Sequence, residues 1–257
     1  MLLCIDMGNT NITLGCYKND ELLFVSRMYT AKQKSSDEYA IELLDIFNLY
    51  NVNPTDFSGC IFASVVPQLT DPIVRAVKRT TGIEPLLVGE KYNGELKVKI
   101  LPVSYLGADL IAGAVAAIAK YPLPCLVADL GTATKILVID EDGEFKGCTI
   151  APGVKISLDA LASGTALLPS ISFTKPETCV GRNTVECMQS GSVYGSASMI
   201  DGLISRMTKE LGFENPTLVA TGGYSKGIIP CCEHEIIYDE NLLLDGIKYI
   251  YDKAKEA

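Results

Sequence analysis

Residues 3–15 read Leu3-Cys4-Ile5-Asp6-Met7-Gly8-Asn9-Thr10-Asn11-Ile12-Thr13-Leu14-Gly15, and residues 126–138 repeat the pattern as Leu126-Val127-Ala128-Asp129-Leu130-Gly131-Thr132-Ala133-Thr134-Lys135-Ile136-Leu137-Val138. In both stretches an apolar run ends in Asp-x-Gly, small polar residues follow, and a second apolar run begins. The two aspartates are 123 residues apart in a chain of 257. The repeat predicts two related modules, each opening with a strand, a tight polar turn and an antiparallel return strand.

The residue types of these turns suit phosphate. Gly8 and Gly131 allow a ligand to approach the backbone closely, and the Asn and Thr residues beside them supply N–H and hydroxyl donors. An aspartate beside a phosphate requires a cation such as Mg²⁺ or a monovalent ion, because like charges repel. Two such turns would clamp a polyphosphate. The alternative is that Asp-Gly and Asn-Thr are ordinary hairpin residues, and the matched pair favours the phosphate site.

Composition narrows the classes of protein to consider. With 48% hydrophobic and 21% charged residues, the chain is typical of a globular protein with a substantial core. A net charge of −9 and the lack of a Lys/Arg run argue against a nucleic-acid partner. No basic region precedes the first apolar residues, and the longest apolar run, residues 110–119, is half of what a bilayer requires. The sequence therefore predicts a cytoplasmic protein with no membrane partner.

Cysteine and histidine usage also restricts the chemistry. The nine cysteines are scattered without a Cys-x-x-Cys pair, which predicts reduced and mostly buried thiols; the adjacent Cys231 and Cys232 could be reactive. The only histidine is His234, which lies in a polar segment and is predicted to be a surface residue. Histidine-based nucleophilic chemistry and histidine zinc sites are thus disfavoured. Acid–base chemistry would come from carboxylates.

The remaining pattern predicts mixed sheets flanked by helices, with a module boundary near Pro122 and Pro124 that gives modules 1–121 and 122–257. The main predicted elements are a helix from Ser36, a buried strand over 60–66, a helix capped by Thr70-Asp71-Pro72 and stopped by Gly82, a buried strand over 85–88, a small-residue helix beginning near Asp109, a helix starting near Val185, a long helix from about Tyr194 to Leu211, and a closing amphipathic helix over 241–253.

Two further positions have more than one interpretation. Asp109 falls in the first turn of its helix, where it is either a capping residue or a catalytic carboxylate. The apolar strand Thr217–Thr221 breaks into Gly222-Gly223, which is either a plain bend or a surface for a nucleotide base or ribose. The residue types leave both questions open.

Taken together, the motifs resemble those of the type III pantothenate kinase family, in order and spacing along nearly the whole chain. They are Asp6-Met7-Gly8-Asn9-Thr10, Ser64-Val65-Val66-Pro67, Gly107-Ala108-Asp109, Asp129-Leu130-Gly131-Thr132-Ala133, Ala151-Pro152-Gly153, Gly181-Arg182-Asn183-Thr184, Met188-Gln189-Ser190-Gly191 and Thr221-Gly222-Gly223.

The resemblance implies an α/β, actin-like fold of the acetate and sugar kinase/Hsp70/actin type, with two ribonuclease-H-like modules facing each other across a cleft. It implies ATP-dependent phosphorylation of the primary hydroxyl of pantothenate to 4'-phosphopantothenate, the first step of coenzyme A biosynthesis. It further implies Mg²⁺, a monovalent cation (K⁺ or NH₄⁺), and a homodimer whose substrate pocket is completed across the interface.

The resemblance also implies a role for each matching residue. Asp109 is the expected general base that takes the proton from the attacking hydroxyl, and Asp129 is the expected ligand of the monovalent cation. The expected ATP-binding residues are Asp6 (also near Mg²⁺), Met7, Gly8, Asn9, Thr10, Asn11, Ile12, Thr13, Thr132, Gly222 and Gly223. The expected substrate-binding residues are Gly107, Ala108, Asp109, Leu110 and Thr184.

Two departures from the family pattern affect the acceptor side. The family usually reads Gly-x-Asp-Arg where this chain has Leu110, and an Asp-Asn-Pro-like segment is here Leu101-Pro102-Val103-Ser104. Loss of a bidentate cation for an anionic substrate would cost several kcal/mol if the contact is desolvated, about 2–5 by analogy with buried charge pairs. Two alternatives therefore stay open: a nucleotide-binding, non-catalytic paralogue with a regulatory role, or a kinase of another small hydroxy compound.

Overall fold

The computed structural model describes residues 1–99 and 102–256. Leu101, the first residue of the second departure, lies outside the described residues. The chain forms two compact units, Met1–Ala119 together with Leu243–Ala257, and Lys120–Leu242. The predicted modules 1–121 and 122–257 remain a prediction about the homology of the two halves; residues 243–257 pack with the first unit.

The first unit is built on a sheet in the order β3-β2-β1-β4-β5, in which β1 pairs antiparallel with β2 and parallel with β4. Its strands are β1 (Leu2–Met7), β2 (Asn11–Lys18), β3 (Glu21–Tyr29), β4 (Gly59–Ser64) and β5 (Leu86–Leu87), and β6 (Lys97–Val98) follows. Its helices are α1 (Ser36–Leu49), α2 (Pro67–Thr81) and α3 (Ala108–Lys120). Near-continuous burial of β1 and β4 places the core on both faces of the central strands.

The second unit repeats this arrangement. Its strands β7 (Cys125–Leu130), β8 (Ala133–Ile139), β9 (Glu144–Pro152), β10 (Thr217–Thr221) and β11 (Ile237–Tyr238) follow the order β11-β10-β7-β8-β9. Here β7 pairs antiparallel with β8 and parallel with β10, as β1 does with β2 and β4. Its helices are α4 (Val154–Gly164), α5 (Thr184–Leu211) and the short α6 (Ser225–Ile228).

The correspondence between the two units extends to individual residues. Asp6 stands beside Ala63 of β4, and Asp129 stands beside Thr221 of β10, each one residue before the end of its strand. An irregularity interrupts β2–β3 at Cys16/Tyr17 and β8–β9 at the matching Val138/Ile139. The predicted repeat of strand, tight turn and antiparallel return strand is confirmed.

One difference between the two copies is informative. In the first copy Asp6 lies opposite Thr13 on the return strand, whereas in the second Asp129 lies opposite Lys135. The second turn is one residue shorter than the first. The position opposite the aspartate is therefore reached one residue earlier in the second copy than the sequence repeat would place it. A lysine therefore stands where the first copy has a threonine.

The closing helix α7 (Leu242–Glu256) completes the first unit. Gly246 lies so close to α3 that an added Cβ would come within 1.9 Å of the Ala112 carbonyl oxygen. Asp245 accepts a hydrogen bond of 2.8 Å from the Tyr17 hydroxyl of β2. The small residues of α3 thus allow a helix from the end of the chain to pack directly on its backbone.

Four sequence predictions need correction. Helix α2 begins at Pro67 rather than after Thr70, because a proline is well placed in the first turn of a helix, and Pro72 lies inside the helix. The segment near 85–88 contains only the two-residue β5, whose Leu87 is 44% exposed, so it is not a buried strand. The two helices expected over 185–211 are one continuous helix, α5. His234 is only half-exposed and is held by an aspartate, as described below.

The prediction of free thiols is confirmed for all nine cysteines, whereas the prediction that they are buried holds for only four of them. All nine cysteines are free, and Cys4, Cys16, Cys60 and Cys125 are buried, whereas Cys179 and Cys187 are exposed. Burial raises the pKa of the Cys125 thiol to about 12, and that of Cys16 to about 11. Cys232 has a pKa of about 12, raised first by burial and then by Asp201, which makes it a poor nucleophile.

Candidate functional site

The first glycine turn, residues 8–10, is closed by its own backbone and anchored by the end of β3. The Gly8 N–H donates to the Asn11 carbonyl at 2.9 Å, and the hydroxyl of Thr30 donates to the Gly8 carbonyl at 2.8 Å. The Thr30 N–H also donates to the Thr10 carbonyl at 2.9 Å. Thr30 is only 4% exposed, so it ties the turn to the end of β3 from within the structure. No motif in the sequence pointed to this residue.

Replacing Thr30 with valine should loosen this turn while preserving side-chain shape. The variant loses the hydrogen bond to the Gly8 carbonyl, and we expect a destabilisation of about 1–2 kcal/mol. Thermal unfolding without nucleotide measures the loss of stability, and thermal unfolding with nucleotide shows whether the loosened turn also weakens nucleotide binding. Serine at the same position keeps the hydroxyl and should recover most of the turn's stability; equal losses in the two variants would contradict the assignment.

The residues of the first turn divide by exposure. Asn9, Thr10 and Asn11 are exposed, whereas Met7 and Ile12 are fully buried in the core. The side chains of Met7 and Ile12 therefore pack in the interior, and only their backbone groups are available to a ligand. Asp6 is half-buried at the strand end.

Asp109 lies at the end of the first unit's sheet that also carries the first glycine turn. Gly107, which precedes α3, is next to Val65, the residue that follows β4: a Cβ added at Gly107 would lie 3.7 Å from Val65 Cγ1. The N–H of Val65 in turn donates to the Met7 carbonyl at 3.1 Å, at the end of β1. The first turn of α3 is thereby brought to the carboxyl ends of β1 and β4, where open α/β sheets bind their ligands.

The position of the Asp109 carboxylate depends on Gly107, two residues earlier in the chain. Its Oδ1 accepts a hydrogen bond of 2.8 Å from the Leu110 N–H, and an added Cβ at Gly107 would come within 2.6 Å of that oxygen. The Gly107 carbonyl accepts the first helical hydrogen bonds, from Leu110 and Ile111. Gly107 therefore both starts the helix and leaves room for this position of the carboxylate.

Leu110 has a structural role at the position of the family's arginine. Its side chain is 8% exposed and belongs to the buried apolar set. A leucine here contributes to packing, with about 1.5–3 kcal/mol available from burial of such a side chain. Any cation for an anionic acceptor has to come from another position.

The second glycine turn, residues 131–132, is packed against the start of α4. The Gly131 N–H donates to the Ala133 carbonyl at 3.1 Å, matching the bond from Gly8 to Asn11. An added Cβ at Gly153 would lie 2.3 Å from the Thr132 carbonyl oxygen and 2.5 Å from that of Gly131. Gly153 is the residue before α4, so the Ala-Pro-Gly motif lets a helix start directly against the turn.

Asp129 and the double glycine meet at the end of β7. Asp129 is 6% exposed, and its Oδ2 lies 2.6 Å from Lys135 Nζ. Gly222 has a φ of +94°, and an added Cβ would lie 2.6 Å from the Leu130 carbonyl oxygen and 2.8 Å from Asp129 Oδ1. The Tyr224 N–H donates to that same Leu130 oxygen at 3.2 Å. The structure thus brings Asp129, Gly131 and Gly222 together.

Thr184 lines a cavity within the second unit. The cavity has a volume of about 710 Å³ and is lined by residues of α4, of α5 and of the loop Gly181–Thr184. Asn183 caps α5 by accepting the Glu186 N–H at 3.0 Å, and Glu186 in turn accepts the Arg182 N–H at 2.8 Å. The Gly-Arg-Asn-Thr motif is therefore a helix cap that presents the exposed Arg182 and Thr184 at the cavity.

One interaction that the sequence did not reveal anchors the segment after α6 to α5. Asp201, which is buried on α5, accepts hydrogen bonds from the N–H groups of Glu233 (2.8 Å) and His234 (3.2 Å), and its Oδ1 lies 2.8 Å from His234 Nδ1. Burial alone would raise the pKa of Asp201, but the hydrogen bonds from Glu233 and His234 outweigh it and lower the pKa.

This arrangement predicts a pH-dependent contribution to stability. Because the pKa of Asp201 is lowered on folding, its contribution is present above the ordinary pKa of about 3.9 and is lost as the pH falls through the lower folded value. We expect Asp201→Asn to lower the free energy of unfolding by about 1–2 kcal/mol at neutral pH, and by less in acid. Denaturant unfolding at several pH values tests this. Asp159→Asn, at an exposed ion pair, is the control; a difference for Asp201→Asn that does not shrink in acid would contradict the interpretation.

The carboxylates do not form a ready-made metal cage. Among residues 1–99 and 102–256, no three His, Cys, Asp or Glu side chains are grouped to hold an ion. Mg²⁺ at phosphoryl-transfer sites is commonly held by one or two carboxylates together with substrate phosphates. A single aspartate beside a glycine turn, such as Asp6, fits that donor set. In the same described ranges, no helix has the length and apolar character to cross a membrane.

Comparison with known proteins identifies the family. A family model described as type III pantothenate kinase matches residues 2–206. A protein of Finegoldia magna named type III pantothenate kinase is 42% identical over 257 residues, covering 99% of this chain and 98% of its own length. This chain belongs to the type III pantothenate kinase family. A second relative of that name, from Shouchella clausii, is 40% identical and covers 98% of this chain and 99% of its own.

Solved structures of proteins with other names show the fold of this chain. Component A of (R)-2-hydroxyglutaryl-CoA dehydratase from Acidaminococcus fermentans matches with a TM-score of 0.59 at 15% identity, covering 99% of this chain and 98% of its own. An inorganic polyphosphate/ATP-glucomannokinase from Arthrobacter matches with a TM-score of 0.51 at 14% identity, covering 100% and 99%. At such identities the likeness concerns the fold alone, and it confirms the predicted actin-like α/β class.

Proposed function

We propose that this chain is a kinase that transfers the γ-phosphoryl group of ATP to the primary hydroxyl of pantothenate, forming 4'-phosphopantothenate for coenzyme A biosynthesis. The observation that carries the proposal is full-length similarity, at 42% identity, to a protein named type III pantothenate kinase. Asp6, Asp109 and Asp129 are all present. A purely regulatory nucleotide-binding protein would have little need of a general base such as Asp109.

Asp109 is the proposed general base. It stands at the carboxyl ends of β1 and β4, at the start of α3, with its carboxylate held by the Leu110 N–H. In phosphoryl transfer the base mainly orients the attacking hydroxyl and accepts its proton, so an ordinary carboxylate suffices. Gly107 and Ala108 form the backbone on which this carboxylate is positioned, and we place the acceptor next to it.

The nucleotide is assigned to the glycine turns of each unit. Residues Asp6–Thr13 provide backbone and side-chain donors for phosphate, with Asn9, Thr10 and Asn11 exposed for this purpose. Thr132 provides a contact to ATP from the second turn. Gly222 and Gly223 provide the surface for adenosine, and Gly223 has nothing within 4 Å of an added Cβ, which leaves open space above it.

Two positive charges belong to this assignment. We place Mg²⁺ near Asp6, where it would neutralise charge on the transferring phosphoryl group when bound. We place a monovalent positive charge at Asp129, where the family resemblance implies K⁺ or NH₄⁺. We also propose a homodimer, in which a second copy completes the acceptor pocket.

Arg182 is our candidate for the cation that position 110 lacks. Its side chain is exposed and lines the 710 Å³ cavity together with Thr184, and pantothenate carries a carboxylate. We expect Arg182→Gln to raise the KM for pantothenate about tenfold, with a smaller effect on kcat, because a charged hydrogen bond is worth roughly 1.5–3 kcal/mol. Steady-state kinetics measure this. A Lys variant should retain part of the affinity, and an unchanged KM for Arg182→Gln would remove Arg182 from the acceptor site.

A coupled ADP-release assay tests the proposed function. The purified chain is given ATP, Mg²⁺ and either pantothenate or a panel of small hydroxy acids, and the phosphorylated product is identified by mass spectrometry. Turnover with pantothenate above all others supports the proposal. Turnover with a different acceptor supports a kinase of another hydroxy compound, and tight ATP binding without turnover on any acceptor supports the regulatory paralogue.

A further inference from the structure

The ion pair at Asp129 bears directly on the monovalent cation. Lys135 Nζ lies 2.6 Å from Asp129 Oδ2, and the two side chains are only 13% and 8% exposed. Asp129 lies at the end of the buried strand β7, and Lys135 reaches it from the directly opposite position on β8. Salt screens a pair this buried much less than a surface pair, so changes in ionic strength alone should weaken it little.

The first copy of the repeat provides an internal comparison. Asp6 occupies the same place on β1 as Asp129 does on β7, but the residue opposite it is the neutral Thr13. The position directly opposite the aspartate that we assign to Mg²⁺ therefore carries a neutral side chain. In the second copy the shorter turn places a lysine at that position. At Asp129, the chain itself supplies a cation from the directly opposite position.

We propose that the Lys135 ammonium takes the place of the monovalent cation at Asp129, so that nucleotide binding by this chain does not require K⁺ or NH₄⁺. This rests on the proposed function, because it assumes that the second turn binds nucleotide. A lysine head group carries the same charge as NH₄⁺ and donates the same kind of hydrogen bonds. A second cation about 4 Å from the ammonium would bind roughly a thousandfold more weakly at the effective dielectric of a protein.

The orientation of Asp129 is consistent with this arrangement. One carboxylate oxygen is bound to Lys135, and the other faces Gly222, whose added Cβ would lie 2.8 Å from it. The carboxylate is thus held between the return strand and the double-glycine bend. Lys135 places a positive charge at the base of the glycine turn, where a triphosphate assigned to this turn would benefit from it.

The test is an affinity series in different salts. Dissociation constants for Mg²⁺-ATP are measured calorimetrically in choline, Na⁺, K⁺ and NH₄⁺ chloride at equal ionic strength. For the unmodified chain we expect the four values to agree within about twofold. For Lys135→Thr, which copies the first unit, we expect nucleotide binding to weaken about tenfold or more in choline and Na⁺, and to recover in K⁺ or NH₄⁺.

Three further measurements make the result decisive. Lys135→Arg keeps the charge and should stay insensitive to the salt, whereas Lys155→Thr removes a lysine from an exposed ion pair and controls for the change in net charge. Thermal unfolding without nucleotide should show that K⁺ raises the Tm of Lys135→Thr more than that of the unmodified chain. If the variants do not fold, the salt series on the unmodified chain still decides.

A tenfold gain in nucleotide affinity on adding K⁺ to the unmodified chain would overturn the inference and leave the proposed kinase intact. Equal affinities of Lys135→Thr in all four salts, at the unmodified value, would overturn it as well. Lack of nucleotide binding in every salt would instead overturn the proposed function, and this inference with it.

Discussion

Asp109→Asn is expected to reduce kcat by about a thousandfold, within the range of roughly 10²–10⁴ that a general base contributes. Asparagine has nearly the same shape, and its amide oxygen can still accept the Leu110 N–H bond of 2.8 Å. The helix should therefore start where it does now. What disappears is a group able to accept the proton of the attacking hydroxyl, so the loss should appear in kcat, with the Kd for ATP changed by no more than about twofold.

The competing explanation is that Asp109 merely stabilises the start of α3. Asp37 offers a matched control, because it is also an acidic residue in the first turn of a helix, α1, and is exposed. If the role is only electrostatic support of a helix end, both Asn variants should lose about 0.3–1 kcal/mol of stability and keep their turnover. If Asp109 is the base, only its variant loses turnover. Rapid-quench measurement of the chemical step, together with thermal unfolding, separates the two outcomes.

The sequence was sufficient for the parts of the fold that local residue patterns determine. Asp-x-Gly followed by small polar residues, repeated after half the chain, predicted the two hairpins, and the structure has both with matching registers. The Gly82 stop of α2 was predicted because a left-handed residue at a helix end is commonly glycine, and its φ is +76°. Such features depend on neighbours within a few residues.

Other features depend on residues far apart in the sequence. The hydrogen bonds from His234 and Glu233 to Asp201 join positions more than 30 residues apart, and neither segment carries a motif that suggests the other. The hydrogen bond from Thr30 to Gly8 likewise joins residues that are 22 positions apart in the sequence. The requirement for Gly153 arises only because α4 starts against the backbone of the second turn. Tertiary packing creates these constraints, and residue spacing does not encode them.

The position of Lys135 shows how a sequence repeat differs from a structural one. Aligning the two copies residue by residue places Lys135 with Ile12, a core position, because the copies have the same length in sequence. The strand register instead places Lys135 with Thr13, since the second turn is one residue shorter. Its contact with Asp129 became visible only when the register was known.

Gly222→Ala is expected to be the most destabilising single change at the second turn. Alanine at a φ of +94° is strained, and its Cβ would lie 2.6 Å from the Leu130 carbonyl oxygen and 2.8 Å from Asp129 Oδ1. Since the first of these atoms is backbone, the end of β7 has to move. We expect a loss of about 2–4 kcal/mol in the free energy of unfolding, measured by denaturant titration, and at least tenfold weaker nucleotide binding.

Gly223→Ala is the matched control for stability, because an added Cβ at Gly223 meets nothing within 4 Å and its φ is not positive. Its free energy of unfolding should stay within about 0.5 kcal/mol of that of the unmodified chain. The same variant distinguishes the two interpretations of the double glycine. If adenosine lies over Gly223, a methyl group there should weaken nucleotide binding severalfold without affecting the fold, because it occupies the open space that the ligand needs. If nucleotide affinity is unchanged, Gly223 is part of a bend only, and the adenosine contact must come from other residues of the second unit.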